Sequence, residues 1–326
     1  MQNYLEKGFV SLEATDNSAV STITFAYDDY LLGALSAQLA SVGGGGLDTA
    51  TLQDVAESAL LRSKNYEKVW SEERLFMCPR SNGSGNYTNA DDDQEDPLVC
   101  PNFPGNVAIA SKWYREGDAW HYAYWAPQDM PGLVALHPSP QTFHDNVEMI
   151  MAKSVPNEVL RYVDWGEVKP NDYYWAGNEH NLLHPWLFNY GPNCSATQYW
   201  TRKMTELHYN TKHNGIPGND DYGAMSSWLL FASLGFFPNA GLDTFLIGSP
   251  RVANATMRLN MYEGDGSTSL TVVAHNQGLG NYFVEKLLVD GVEWASAFIK
   301  RSVLAQGPTL EFFLSDDPNN SGLCPK

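Results

Sequence analysis

The stretch GIPGNDDYGAMSSWLLFASLGFFP, Gly215 to Pro238, runs a glycine-bracketed carboxylate turn straight into an apolar helix. Gly218 and Gly223 admit turn conformations closed to other residues, so Asn219, Asp220 and Asp221 are held at the mouth of an element. That is a way to aim a carboxylate. The run Trp228, Leu229, Leu230, Phe231 and Leu234 has no polar gap and predicts a buried helix, which Gly235 and Pro238 stop. The plainer reading is a helix N-terminus on which Asp accepts orphan N–H groups. The turn alone leaves both readings open.

Organisation changes near residue 236. Before it, Ala26–Leu39, Thr51–Leu61 (opening on a Thr cap) and Thr197–Tyr209 carry helical periodicity. After it, strand-like runs Thr244–Ile247, Ala255–Met261, Ser269–Ala274, Tyr282–Leu288 and Thr309–Leu314 are separated by Gly264-Asp265-Gly266, Gly278-Leu279-Gly280 and Asp290-Gly291. The first part reads as helical and the second as a β-sandwich, with domains expected at 1–235 and 236–326.

With 326 residues the chain is long enough for two domains and for an enzyme. A net charge of −18 argues against nucleic acid or an anionic membrane surface as partner, because both would repel it. No apolar run reaches the roughly 18 residues of a spanning helix, and Met1-Gln2-Asn3-Tyr4 has no signal-peptide character. Four cysteines, Cys78, Cys100, Cys194 and Cys324, lack metal-type spacing. A Cys78–Cys100 disulfide would close a polar loop carrying sequons at Asn82 and Asn86. With Asn193, Asn254 and Asn319 these make five N-x-[ST] sites and lean towards a secreted or secretory-lumen protein. The acidic run Asp91–Asp96 lacks the glycine and terminal Glu of an EF-hand loop and reads as solvated surface.

Two further clusters mix carboxylates with aromatics. In Trp113–Asp129, rings packed around Glu116 would exclude water and keep it protonated as an acid, and Trp120 could stack on a sugar; a surface Glu beside an aromatic core is the alternative. In Tyr173–Trp186, Asn178, Glu179 and His180 beside Tyr and Trp make the mixture expected of a polyol site. There the alternative is capping by Asn178 with His180 and His184 as ordinary polar residues. Zinc on the His180/His184 pair is disfavoured, because Asn181-Leu182-Leu183 lacks the metalloprotease Glu and Pro185 follows at once. No G-x-S-x-G elbow is present, and Gly43–Gly46 lacks the G-K-[ST] of a phosphate loop.

Taken in order, VSTITFAYDDY (Val20–Tyr30), RSKNYEKVW (Arg62–Trp70), EGDAWHYAYWAPQD (Glu116–Asp129), GNEHNLLHPWLFNY (Gly177–Tyr190), GNDDYGAMSSWLLFASLGFFP (Gly218–Pro238) and TFLIGSP (Thr244–Pro250) resemble glycoside hydrolase family 92 from about residue 8 onwards. The resemblance implies a calcium-dependent, inverting exo-α-mannosidase, many members being α-1,2-specific. It implies part of an (α/α)6 helical barrel followed by the β-sandwich subdomain. Family members carry an N-terminal β-sandwich and early barrel helices before this point, so the chain is expected to be a C-terminal half, with that missing half as its structural partner. By resemblance Glu116 matches the acid of the EG-x-x-W-x-Y motif and Asp221 the base of G-x-x-D-x-G. Asp220 and Asn219 would flank the water, and Trp120, Asn178, Glu179 and His180 would bind sugar, with Glu179 and Asn178 near the calcium. His121, Gln128 and His180 stand where Gln, His and Pro are usual. A mannose-containing glycan is the implied substrate. An inactive, lectin-like relative is the alternative, and a lyase on acidic polysaccharide is disfavoured by the −18 charge.

Overall fold

A computed structural model describes residues 2–85, 96–102, 104, 113–154, 173–259 and 268–324. Contacts divide the chain into two units, Met1–His137 with Lys169–Tyr174, and Pro138–Val168 with Trp175–Lys326. The strand-rich part that begins at Phe236 groups with the helices just before it in the second unit.

In the first unit, α1 (Gln2–Lys7), α2 (Ser18–Ser41) and α3 (Thr49–Arg62) are followed by a short hairpin of β1 (Trp70–Ser71) and β2 (Phe76–Met77), then by α4 (Ala119–Tyr122) and α5 (Met130–Ala135). Helix α2 starts eight residues before the periodicity that announced it. The early turns hold β-branched residues of poor helix propensity, but Thr22 and Thr24 donate their hydroxyls to the Ser18 and Val20 carbonyls at 2.9 and 2.8 Å, which satisfies them within the helix. Helix α3 opens on Asp48, not on a Thr cap: the Asp48 carboxylate accepts the Thr51 N–H at 2.9 Å. The two helices approach closely at Gly33, where an added Cβ would lie 2.7 Å from the Leu60 side chain. A charged clasp joins all three helices. Asp29 accepts from Arg62 Nη2 at 2.6 Å, from Arg62 Nε at 3.0 Å and from Tyr4 Oη at 2.8 Å.

The Cys78–Cys100 disulfide forms within this unit. Asp96, at the end of the acidic run, pairs with Lys7 at 2.7 Å. The rest of that run and the sequon at Asn86 lie outside the described residues.

The second unit holds α6 (Pro140–Ser154), α7 (Ser195–His208), α8 (Ala224–Leu234) and two sheets. Strands β3 (Phe236–Pro238), β4 (Thr244–Ile247) and β9 (Phe298–Lys300) form one sheet in the order β3-β4-β9. Strands β5 (Asn254–Arg258), β6 (Ser269–His275), β7 (Phe283–Val289), β8 (Val292–Glu293) and β10 (Thr309–Ser315) form the other in the order β5-β6-β10-β7-β8. A short helix, α9 (Arg301–Leu304), precedes β10. β6 and β10 alternate strictly between buried and half-buried positions, as a sheet with one face in a core requires. Their inward residues Leu270, Val272, Leu310 and Phe312 share one apolar cluster with Phe236, Ile247 and Ile299 of the smaller sheet. The five runs read as strands are strands, within a few residues; β3, β8 and β9 are too short to carry a pattern. The turn at Gly264–Gly266 lies outside the described residues. Cys194 and Cys324 close a second disulfide across 130 residues.

Candidate active site

The first unit supplies Glu116 and Trp120. Asp118 is fully buried and caps α4, accepting the N–H groups of Trp120 at 2.8 Å and His121 at 3.3 Å. In return the Asp118 N–H donates to His121 Nδ1 at 3.1 Å, a capping box that requires Nδ1 unprotonated. Tyr122 donates its hydroxyl to the Arg115 carbonyl, fastening the loop from below. Trp120 lies edge-on to Phe76 at 5.3 Å and stacks on Tyr173 at 6.4 Å. Tyr114 is buried beneath the same loop, and burial pushes its phenol well up.

These rings therefore pack on one another. Glu116 stands outside them, 63% exposed, with Arg115 Nε at 3.9 Å. The enclosed carboxyl expected at Glu116 is found instead at Asp118. Glu116 has a φ of +55°, a left-handed conformation uncommon outside glycine.

The second unit supplies Asn178, Glu179, His180, Asn219, Asp220 and Asp221, and two glycines join their segments. An added Cβ at Gly177 would meet the Gly218 nitrogen at 2.8 Å, and one at Gly218, where φ is +63°, would meet the Gly177 Cα at 2.8 Å. With no side chain on either, the backbone of Gly177 lies directly on that of Gly218, which brings together the two segments that carry these residues. Trp228 of α8 strengthens the join by donating Nε1 to the Leu182 carbonyl at 2.8 Å while its ring stacks on Tyr209 at 5.6 Å. Tyr209 is buried, and that burial, with Asp220 nearby, raises its phenol pKa.

Within the join the polar residues separate by role. Asn178 is buried and accepts the Glu179 N–H at 3.1 Å as an N-cap, while Glu179 is exposed and His180 half-buried. Asp220 accepts the Ser226 N–H at 2.8 Å, so the capping alternative holds for Asp220. Asp221 has no such employment: among the described residues its carboxylate makes no hydrogen bond or ion pair and faces water. Asp221, Tyr222 and Gly223 follow one another with φ of +35°, +58° and +88°. Helix α8 is less buried than its apolar run implied, with Leu230 54% exposed.

The oxygen donors Asn178 and Glu179 are of the hard type that calcium takes. Among the described residues, however, no group of three or more His, Cys, Asp or Glu side chains is placed to hold a metal ion. The contact of Gly177 with Gly218 joins two segments that the sequence offers only separately. Tyr222 occupies an unspecified position of the G-x-x-D-x-G motif, so its residue type carries no signal in the sequence.

The glycosyl hydrolase family 92 catalytic domain matches residues 1–316. A protein of Arthroderma benhamiae described as an uncharacterised secreted glycosidase is 22% identical over 317 residues, 94% of this chain and 37% of the relative. Among solved structures, a family GH92 α-mannosidase of Bacteroides thetaiotaomicron superposes with a TM-score of 0.78 at 23% identity, covering 100% of this chain and 39% of that one. The family GH92 inverting mannosidase of the same organism gives a TM-score of 0.74 at 20% identity over 99% of this chain and 41% of its own. The chain thus spans about two fifths of the length of these relatives and shares their fold over that span. With the domain match extending over almost its whole length, the chain belongs to glycosyl hydrolase family 92.

Proposed function

We propose that the protein containing this chain is an inverting exo-α-mannosidase acting on α-1,2-linked mannose of an N-glycan or mannan, with Glu116 as general acid and Asp221 as general base. The observation that carries the assignment is conformational. Among the described residues six non-glycine positions have positive φ, and Glu116 and Asp221 are two of them. Both present exposed carboxylates. Backbone strain of about 1–3 kcal/mol per residue persists only where the surroundings impose it, and it gathers at functional sites.

An inverting hydrolase holds its two carboxyl groups roughly 6.5–9.5 Å apart with a water between base and anomeric carbon. Asp221, ionised, takes a proton from that water as its oxygen bonds to the anomeric carbon. Glu116, protonated, gives its proton to the glycosidic oxygen as the old bond breaks, so one proton is gained and one lost. Asp220 fixes the turn through its Ser226 bond and Asn219 flanks the water. Asn178, Glu179, His180 and Trp120 orient the sugar. Calcium dependence follows from family membership and belongs to the same proposal. So do a helical barrel over 1–235, a sandwich subdomain over 236–326, and the secretory route with which two disulfides and the secreted relative are consistent.

The test uses the full-length enzyme on α-mannobiose and on an aryl mannoside with a good leaving group, with and without a calcium chelator. Glu116→Gln should lower disaccharide hydrolysis by about 10²–10⁴-fold while sparing the aryl substrate, and Asp221→Asn should suppress both. Undiminished disaccharide hydrolysis by Glu116→Gln refutes the acid assignment. Mannose binding without turnover in the unsubstituted protein identifies the lectin-like alternative.

A further inference from the structure

Tyr222 is the most exposed large apolar side chain among the described residues, at 112%. It also sits at φ +58° between two further positive-φ residues, Asp221 and Gly223. A left-handed conformation at a bulky residue is an outlier, and left-handed residues ordinarily occur singly. Asp and Gly tolerate such backbone far better than an aromatic residue does. Among the described residues the ring packs against nothing and its backbone is strained, so the fold of this span gives no reason to place a tyrosine here.

The turn nevertheless imposes the placement. Gly218 is seated on Gly177 on one side. On the other, the Ala224 N–H reaches the carbonyls of Asp220 at 2.7 Å and Asp221 at 3.2 Å, and the Asp220 carboxylate holds Ser226. The turn is anchored at both ends of these residues, so the ring is presented to water one residue from Asp221. The Cα atoms of trans-linked neighbours are 3.8 Å apart, and the chain has no cis peptide among its described bonds.

We propose that Tyr222 is the platform on which the leaving-group sugar of the substrate stacks, and so sets which glycans the enzyme accepts. This rests on the mannosidase reading above. An exo-acting site encloses the terminal sugar and leaves the remaining glycan at its rim, where a wholly exposed ring belongs. The apolar C–H face of a pyranose packs on an aromatic ring, and the phenolic hydroxyl stays free to bond a sugar hydroxyl. The contact is made to the second sugar, not to the mannose being released.

The full-length enzyme and its Tyr222→Ala, Tyr222→Trp and Tyr222→Gly variants, assayed on α-mannobiose and α-mannosyl fluoride, provide the test. The fluoride has no second sugar. Tyr222→Ala should lower kcat/KM on the disaccharide by roughly three- to tenfold, mainly through KM, and leave the fluoride unchanged, while Tyr222→Trp keeps most of the disaccharide rate. Tyr222→Gly should lose the same selectivity and yet unfold at higher denaturant, because glycine removes the strain. Equal losses on both substrates, or none on either, overturn the platform. So does a Tyr222→Gly variant less stable than the parent, since the ring would then be packed in the whole protein. Absence of turnover by the unsubstituted enzyme on both substrates overturns the mannosidase reading itself and is told apart by that.

Discussion

Alanine at Gly177, Gly218 and Gly223 separates two effects that glycine combines at a site. Gly223 has a φ of +88°, but an added Cβ would meet only Ser227 Oγ at 3.9 Å, so Gly223→Ala tests backbone strain alone. That should lower unfolding free energy by about 1–2 kcal/mol. Gly177 has no positive φ but would press its Cβ on the Gly218 nitrogen and on Trp175 Cε2 at 2.8 Å each and on the Gly218 Cα at 2.9 Å, none of them the far end of a flexible side chain. Gly177→Ala should lose about 1–3 kcal/mol, as overpacking does. Gly218→Ala combines a φ of +63° with a Cβ that would press hardest on the Gly177 carbonyl oxygen and lie 2.8 Å from the Gly177 Cα, and should lose about 2–5 kcal/mol, at least the sum. Urea unfolding of the three single variants and the Gly177/Gly218 pair gives the comparison, the pair falling short of additivity because the first substitution already parts the loops. If Gly218→Ala were no worse than Gly223→Ala, the backbone contact that unites the two halves of the second unit's site would be refuted.

Cys78→Ser with Cys100→Ser should destabilise the protein by about 3 kcal/mol, the chain-entropy value for the 22-residue separation, measured by urea midpoint; no change would refute the loop-entropy account of this bond. His137 and His144 are both held below the ordinary value near 6.5 by burial, opposed at His137 by its bond to the Leu133 carbonyl and at His144 by Glu148 and Asp145. The unfolded chain then binds more protons than the native one below that value, so stability should be full above about pH 6.5 and fall as pH drops below it. Thermal midpoints across pH 5–8 should show this slope, flattened in His137→Phe/His144→Phe.

How far the sequence revealed all this depended on element length and on whether a signal was local. β6 and β10 are seven residues each and declare themselves by alternation, whereas the two- and three-residue β8 and β9 are specified only by the strands beside them. The Asp221 turn was legible because glycine spacing is a local statement about backbone freedom. Which carboxylate of Glu116-Gly117-Asp118 would be buried was not. That choice lies in the capping box, where Asp118 needs two N–H groups ahead of it and His121 answers from the first helical turn. The join of Gly177 to Gly218, 41 positions apart, follows from tertiary packing that no window of sequence contains.

The order of the larger sheet has a consequence for synthesis. β10 is its last strand in sequence yet its middle strand in space, parallel to β6 on one side and antiparallel to β7 on the other. On the ribosome β6 and β7 emerge with nothing between them, each offering an open edge until Thr309–Ser315 arrives to fill the gap. A premature stop between Val289 and Thr309 would leave two sticky borders and no central strand, so such products should be captured by chaperones or lost to aggregates. The Cys194–Cys324 bond is likewise available only once that last strand has been made, which makes the strand the step that commits the whole subdomain.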